Sequence, residues 1–67
     1  MRIKPVIWFH IGTMDKDKIR TMKILCESNE VVWYLNDYPD RPYEFWFKAD
    51  YPFFNRILFY TGIHTNY

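Results

Sequence analysis

Residues 30–50 constrain the fold of this 67-residue chain more than any other stretch. They contain two short runs of β-branched and aromatic residues, 31–36 and 43–48, joined by a loop that two prolines bracket. This pattern predicts a β-hairpin. Pairing Asp37 with Tyr43 makes one side of the hairpin apolar and the other side mixed. The apolar side carries Val31, Trp33, Leu35, Phe45, Phe47 and Ala49, and the mixed side carries Val32, Tyr34, Asn36, Glu44, Trp46 and Lys48.

The segment 19–27 fits the same sheet as a further strand. If Ser28 and Asn29 form a two-residue turn, alternate residues of the segment oppose the apolar side of the hairpin, and a one-residue slip would reverse this match. These residues are Met22, Ile24 and Cys26, and Arg20 would oppose Asp37. The alternative is a helix capped by Asp15 or Asp17, which would give the element order β-α-β-β-α. We expect the strand, because its register agrees with the hairpin.

The first part of the chain predicts a strand over residues 3–11, which is either an edge strand or a strand whose first residues are unpaired. Ile7, Phe9 and Ile11 alternate there with Val6, Trp8 and His10. Pro5 cannot donate a hydrogen bond to a neighbouring strand, so it belongs near the start of a strand or at the edge of a sheet.

After Asp50 the pattern becomes helical. Asp50 can cap a helix, Pro52 is tolerated in its first turn, and Gly62 can end it. Phe53, Ile57 and Tyr60 would share one face, with Phe54, Leu58 and Thr61 beside it. This segment is too apolar for an ordinary surface helix, and a strand over residues 56–60 is the alternative. Residues 63–67 are expected to form a flexible tail.

The predicted fold is a β-rich α+β domain that spans residues 1–67. A four-stranded antiparallel meander, which could curl into an SH3-like or OB-like barrel, would carry one C-terminal helix on its apolar face. The expected core consists of Ile7, Phe9, Ile11, Met22, Ile24, Cys26, Val31, Trp33, Leu35, Phe45, Phe47, Phe53, Phe54, Ile57 and Leu58.

Composition argues against catalysis and against a metal or cofactor site. Cys26 is the only cysteine, the two histidines lie near opposite ends of the chain, and no phosphate-binding or nucleophile motif occurs. In the predicted register Cys26 faces the core, where a thiol behaves as a small hydrophobe. No stretch approaches the length of a membrane span, and a lone cysteine is typical of a reducing compartment, so we expect a cytoplasmic protein without membrane contact.

The face of the sheet opposite the helix, called here the outer face, is the candidate binding site. We expect it to carry Trp8, His10, Lys23, Tyr34, Trp46 and Lys48, extended by the loop residues Tyr38 and Arg41. Exposed aromatic residues with a few charges are typical of a protein interface. The expected partner is another protein, or a second copy of the chain in a homodimer. Single-stranded nucleic acid is the less favoured partner, because nine basic residues balance eight acidic ones.

Residues with A/T-rich codons outnumber those with G/C-rich codons, which favours an AT-rich genome. A short, non-catalytic chain of that kind fits a phage-type inhibitor that occupies the surface of a host enzyme or defence complex. Its place would then be the host cytoplasm.

Overall fold

The predicted hairpin forms two strands of a three-stranded sheet. The computed structural model describes residues 5–64 and orders the elements as β1, α1, β2, β3 and α2. Their bounds are Ile7–Thr13, Lys16–Ser28, Val32–Asn36, Tyr43–Ala49 and Tyr51–Thr61. The sheet order is β1-β3-β2, and both outer strands are antiparallel to β3. Strands β1 and β2 therefore run in the same direction and α1 connects them, as a parallel arrangement requires.

The register predicted for the hairpin is confirmed. Tyr34 pairs with Trp46, and the neighbouring pairs follow from Val32–Lys48 to Asn36–Glu44. The edge position predicted for the first strand is also confirmed, although the strand begins at Ile7 and continues to Thr13. Its neighbour is β3, however, and residues 3 and 4 of the predicted strand lie outside the described residues.

The prediction of a strand over residues 19–27 is wrong. The predicted four-stranded meander with a single helix, together with its barrel-like variants, is therefore wrong as well. The segment lies in α1, so the element order is that of the β-α-β-β-α alternative. Asp15 caps this helix, since its carboxylate accepts a hydrogen bond from the Asp17 N–H at 2.9 Å. Arg20 lies 3.8 Å from the Asp17 carboxylate and does not oppose Asp37.

The C-terminal end of α1 replaces the predicted two-residue turn at Ser28 and Asn29. The Val31 N–H donates to the Cys26 carbonyl at 2.8 Å, and the Glu30 N–H donates to the Glu27 carbonyl at 3.4 Å. These two bonds define a Schellman motif, in which one residue takes a left-handed conformation. That residue is Glu30, with φ of 57°. Glycine usually fills this position, so the sequence carries no obvious signal that a helix ends there.

Helix α2 confirms the predicted caps. The Asp50 carboxylate accepts a hydrogen bond from the Phe53 N–H at 3.0 Å, and Pro52 lies in the first turn. Gly62 has φ of 70°, and its N–H donates to the Leu58 carbonyl at 2.9 Å. Of the three residues predicted to share one face, Phe53 and Ile57 are buried and Tyr60 is exposed.

Both helices bury residues against one side of the sheet, where the core lies. Its buried hydrophobic residues are Phe9, Ile11, Ile19, Met22, Cys26, Phe45, Phe47, Ala49, Phe53, Phe54 and Ile57. The Phe9 ring stacks on Phe54 at 4.3 Å and on Phe47 at 5.5 Å between centroids, which joins α2 to β1 and β3. Two predicted core residues, Ile7 and Ile24, are exposed instead.

Four other predicted core residues are only partly buried: Val31, Trp33, Leu35 and Leu58. Of the predicted tail, Ile63 is partly buried against the core, and residues 65–67 lie outside the described residues. Neither helix in residues 5–64 has the length and hydropathy needed to cross a membrane.

Candidate protein interface

No helix of residues 5–64 covers the outer face of the sheet, because both helices bury their apolar residues on the opposite side. The strand registers arrange it in three cross-strand rows that each run from β1 through β3 to β2. The rows are Trp8–Lys48–Val32, His10–Trp46–Tyr34 and Gly12–Glu44–Asn36. Side chains in such rows are direct neighbours. The register therefore brings together residues that lie up to 40 positions apart in the chain.

The middle row forms a continuous aromatic surface. The Trp46 ring lies 4.7 Å from the His10 ring and 5.9 Å from the Tyr34 ring between centroids, and it is nearly parallel to Tyr34, at 11°. Trp8 reaches diagonally over β3, and its ring lies 5.5 Å from Tyr34. Trp8 and Tyr34 are 45% and 44% exposed, so nearly half of each side chain is open to a partner. These four residues, Trp8, His10, Tyr34 and Trp46, are called the aromatic patch below.

Trp46 occupies the centre of the aromatic patch and is the least exposed of its rings. Within residues 5–64, its indole Nε1 is a buried donor without an acceptor. Such a donor is destabilising by about 1–3 kcal/mol when it is left unpaired. The ring therefore contributes to the patch through its π face and through its contacts with Tyr34 and His10.

The outer face is close to electrically neutral. Lys48 is its only lysine in the described residues, and the Glu44 carboxylate accepts a hydrogen bond from the Asn36 amide at 3.2 Å. The prediction that Lys23 lies on this face is wrong. It belongs to α1 on the other side of the sheet, where its Nζ lies 5.6 Å from the centre of the Trp33 ring. The helical conformation of residues 19–27 is the cause of this difference.

The loop residues Tyr38 and Arg41 are exposed and contact each other. The guanidinium carbon of Arg41 lies 4.9 Å from the centre of the Tyr38 ring, and Arg41 Nε lies 3.6 Å from the Asp40 carboxylate. An exposed ion pair of this kind contributes about 0–1 kcal/mol to stability. The loop follows Asn36 and precedes Tyr43, so it adjoins the Gly12–Glu44–Asn36 row.

Sequence reasoning missed a second surface, a groove between the free edge of β1 and helix α2. It has a volume of about 660 Å³ and is called the edge groove below. Its lining consists of Ile7, Trp8, Phe9, His10, Tyr51, Phe54, Asn55 and Leu58. Beyond it, Phe59 is 81% exposed on the outer surface of α2. The sequence signal that could have indicated this groove was the large number of apolar residues in the α2 segment, which is more than one buried helix face requires.

Catalytic groups are not brought together in the described residues. The Cys26 thiol is fully buried, and burial, together with the nearby Glu27 carboxylate, raises its pKa to about 12. A thiol with so high a pKa is a poor nucleophile at neutral pH. Residues 5–64 contain no group of three His, Cys, Asp or Glu side chains that could hold a metal ion.

Comparisons with protein-family models, curated proteins and solved structures gave no match to this chain.

Proposed function

We propose that this chain is a non-catalytic protein-binding module that contacts its partner through the outer face. The observation that carries this proposal is the aromatic patch, four adjoining rings on a sheet face that neither helix covers. Tryptophan and tyrosine are enriched among the residues that dominate binding energy at protein interfaces. Protein interfaces are also depleted in charged residues at their centre, as the middle row of this face is.

The neutral charge of the outer face favours a protein over a nucleic acid. Stacking of bases on aromatic rings needs lysine or arginine nearby to neutralise the phosphates. With Lys23 on the helix side, Lys48 remains as the only lysine in the three rows, and Glu44 balances it. Arg41 is an additional cation in the adjoining loop, but it already lies beside Asp40. A face with this balance has little electrostatic attraction for a polyanion.

The position of the aromatic patch on paired strands also supports the proposal. Trp46 is held between β1 and β2, and its neighbours limit the orientations of the surrounding rings. Rings that are already ordered lose less conformational entropy when a partner binds. Truncation of a central aromatic residue at an interface commonly weakens binding by about 2 kcal/mol or more, which is about thirtyfold in the dissociation constant.

Affinity capture from a lysate of the native cell tests the proposal with three variants. Tyr34→Ala and Trp46→Ala remove rings of the aromatic patch, and Tyr60→Ala removes a similarly exposed ring from α2 as the matched control. We expect the wild-type chain and Tyr60→Ala to retain the same protein, and both patch variants to lose it. Circular dichroism on each variant checks that the fold is intact. Equal retention by all four chains would contradict the proposal.

A labelled single-stranded oligonucleotide, titrated at low and high salt, tests the competing function. We expect no binding that weakens as salt rises. Salt-sensitive binding that Trp46→Ala abolishes would favour the nucleic-acid alternative. The narrower hypothesis, a phage-type inhibitor of a host enzyme or defence complex, stays a prediction from composition, and the identity of the captured protein would test it.

A further inference from the structure

We infer that two copies of this chain pair through the free edges of β1, and so form a six-stranded antiparallel sheet around a two-fold axis at His10. The inference does not depend on the proposed function, because it rests on the free edge of β1 and on α2, although Trp8 and His10 belong to both surfaces. If it holds, the middle rows of the two copies join across the axis. The continuous row would run Tyr34–Trp46–His10 in one copy and His10–Trp46–Tyr34 in the other.

Within its own residues, strand β1 lacks the sequence features by which proteins often protect a free edge. Lysine, proline and inward-pointing charges normally discourage edge-to-edge pairing. Strand β1 is seven residues long and contains none of these. Outside its ladder with β3, no backbone-to-backbone hydrogen bond of the described residues involves it. The other edge strand, β2, is two residues shorter and lies beside Lys23 on the helix side.

The sequence of β1 is complementary to itself in one register. Two copies paired about a two-fold axis keep outer face next to outer face only when the axis passes through a residue position. Centring the axis on His10 is the register that pairs all seven residues of β1. Trp8 then lies opposite Gly12 of the second copy, and Phe9 lies opposite Ile11. The glycine leaves open space opposite Trp8, whose ring leans over β3 toward Tyr34 in the single chain and would turn toward the second copy to cover it.

Among residues 5–64, the lining of the edge groove contains no Asp, Glu, Lys or Arg, although a quarter of the chain is charged. The same holds for the adjoining groove that Asn55, Leu58 and Phe59 line on α2. A second copy placed against β1 would bring its own α2 to the edge groove without burying a charge of either copy. The centre of a homodimer interface is typically apolar in this way.

The exposed aromatic area is of the size that a dimer needs. Trp8, Tyr51 and Phe59 are 45%, 58% and 81% exposed. Because an aromatic side chain can bury about 150–250 Å², these three supply roughly 300–450 Å² per copy. A standard interface buries about 800 Å² per partner. The three rings thus provide about half of that area, and Ile7, Leu58 and the paired backbones add to it.

Sedimentation velocity and light scattering test the dimer with substitutions that the single chain tolerates. A Cβ atom at Gly12 would meet only ordinary contacts, at 3.8 Å from the Tyr43 carbonyl and 4.0 Å from His10, so Gly12→Lys preserves the monomer fold but occupies the place of Trp8 from the second copy. Phe59→Lys places a charge beside the edge groove. Tyr60→Lys is the matched control, because it is the next residue of α2 and is also exposed.

We expect the wild-type chain and Tyr60→Lys to have twice the 8.4 kDa mass of one chain at micromolar concentrations. Gly12→Lys and Phe59→Lys should have the mass of a single chain. His10→Cys should form a disulfide-linked dimer under mild oxidation, because residues directly opposite in an antiparallel pair have Cα atoms about 4.5–5.5 Å apart, within the range that a disulfide spans. Val32→Cys, exposed on β2, should not form one.

A wild-type chain that remains monomeric at millimolar concentration overturns the inference. So does a dimer whose mass Gly12→Lys leaves unchanged, since the second copy would then lie elsewhere. If the wild-type chain is monomeric and Gly12→Lys loses a captured protein, the edge binds an extended segment of another protein instead. Tyr34→Ala should leave the dimer intact, so failure of the proposed function and failure of this inference are distinguishable.

Discussion

Substitutions of Met22 and Ile24 test whether their segment forms the helix α1, on which the topology of the fold depends. The two residues lie two positions apart in a segment that fits both a strand and a helix. In a strand they would face the same side and both would be buried. In the structure Met22 is fully buried, and Ile24 is 56% exposed. The two substitutions to alanine should therefore have very different effects on the free energy of unfolding.

The expected magnitudes follow from burial. Truncation of a fully buried methionine to alanine lowers the free energy of unfolding by about 2–5 kcal/mol. A 67-residue chain at about 0.05–0.15 kcal/mol per residue has roughly 3–10 kcal/mol in total, so Met22→Ala removes a large part of it. Ile24→Ala should change it by no more than about 0.5 kcal/mol, because the site is on the surface and alanine favours a helix.

Urea denaturation followed by tryptophan fluorescence and by circular dichroism measures both values. If Met22→Ala is too unstable to fold, Ile19→Val provides a milder test, with an expected loss of about 0.5–1.5 kcal/mol at another buried position of α1. Ile24→Lys sharpens the comparison, because a helix surface accepts the charge and a buried strand position does not. An Ile24→Ala loss as large as that of Met22→Ala, or unfolding of Ile24→Lys, would refute the helix and the topology that depends on it.

Three further predictions concern the end of α1. Glu30→Gly should raise the free energy of unfolding by about 0.5–1 kcal/mol. Glycine removes the steric cost of the left-handed conformation at φ of 57°, and this gain exceeds the loss from the greater freedom of the unfolded chain. An unchanged urea midpoint would contradict this prediction. The Cys26 thiol should resist alkylation in the native state at pH 8.5 and react quickly in denaturant, since burial raises its pKa to about 12. Rapid labelling of the native protein without unfolding would refute the burial of this thiol. The folded state binds the thiol proton more tightly than the unfolded state does. The stability that this difference contributes is fully present below pH 9, the ordinary pKa of the thiol, and is lost as the pH rises through about 12. A Cys26→Ala variant should show a weaker loss of stability over that range.

The sequence predicted most of the candidate site because strand periodicity fixes which residues share a face. Trp8, His10, Tyr34, Trp46 and Lys48 occupy the outer face as expected. Lys23 does not, since its assignment depended on the conformation of a segment outside the hairpin. The edge groove was missed for a different reason. It lies between elements that are distant in the chain, and periodicity within one element does not show which other element packs beside it.

The sequence by itself determined the local features of this protein. The hairpin register follows from the apolar and mixed sides of residues 31–36 and 43–48, because a slip of one residue would reverse both sides. The start and end of α2 follow from Asp50, Pro52 and Gly62, because each residue has a specific effect on the backbone at a helix end. Such signals act within a few residues and need no knowledge of the rest of the fold.

Only the tertiary structure decided the conformation of residues 19–27 and the position of β1. Met22 and Cys26 are four positions apart, a spacing that places them on one face in a helix and in a strand alike. Ile24 separates the two conformations, and its exposure depends on whether β1 or residues 19–27 pairs with the hairpin. Strand β1 pairs with β3, and α1 then contributes Met22 and Cys26 to the core from above the sheet. Pairing between distant strands is set by how completely the whole chain buries its apolar side chains, and no single segment contains that information.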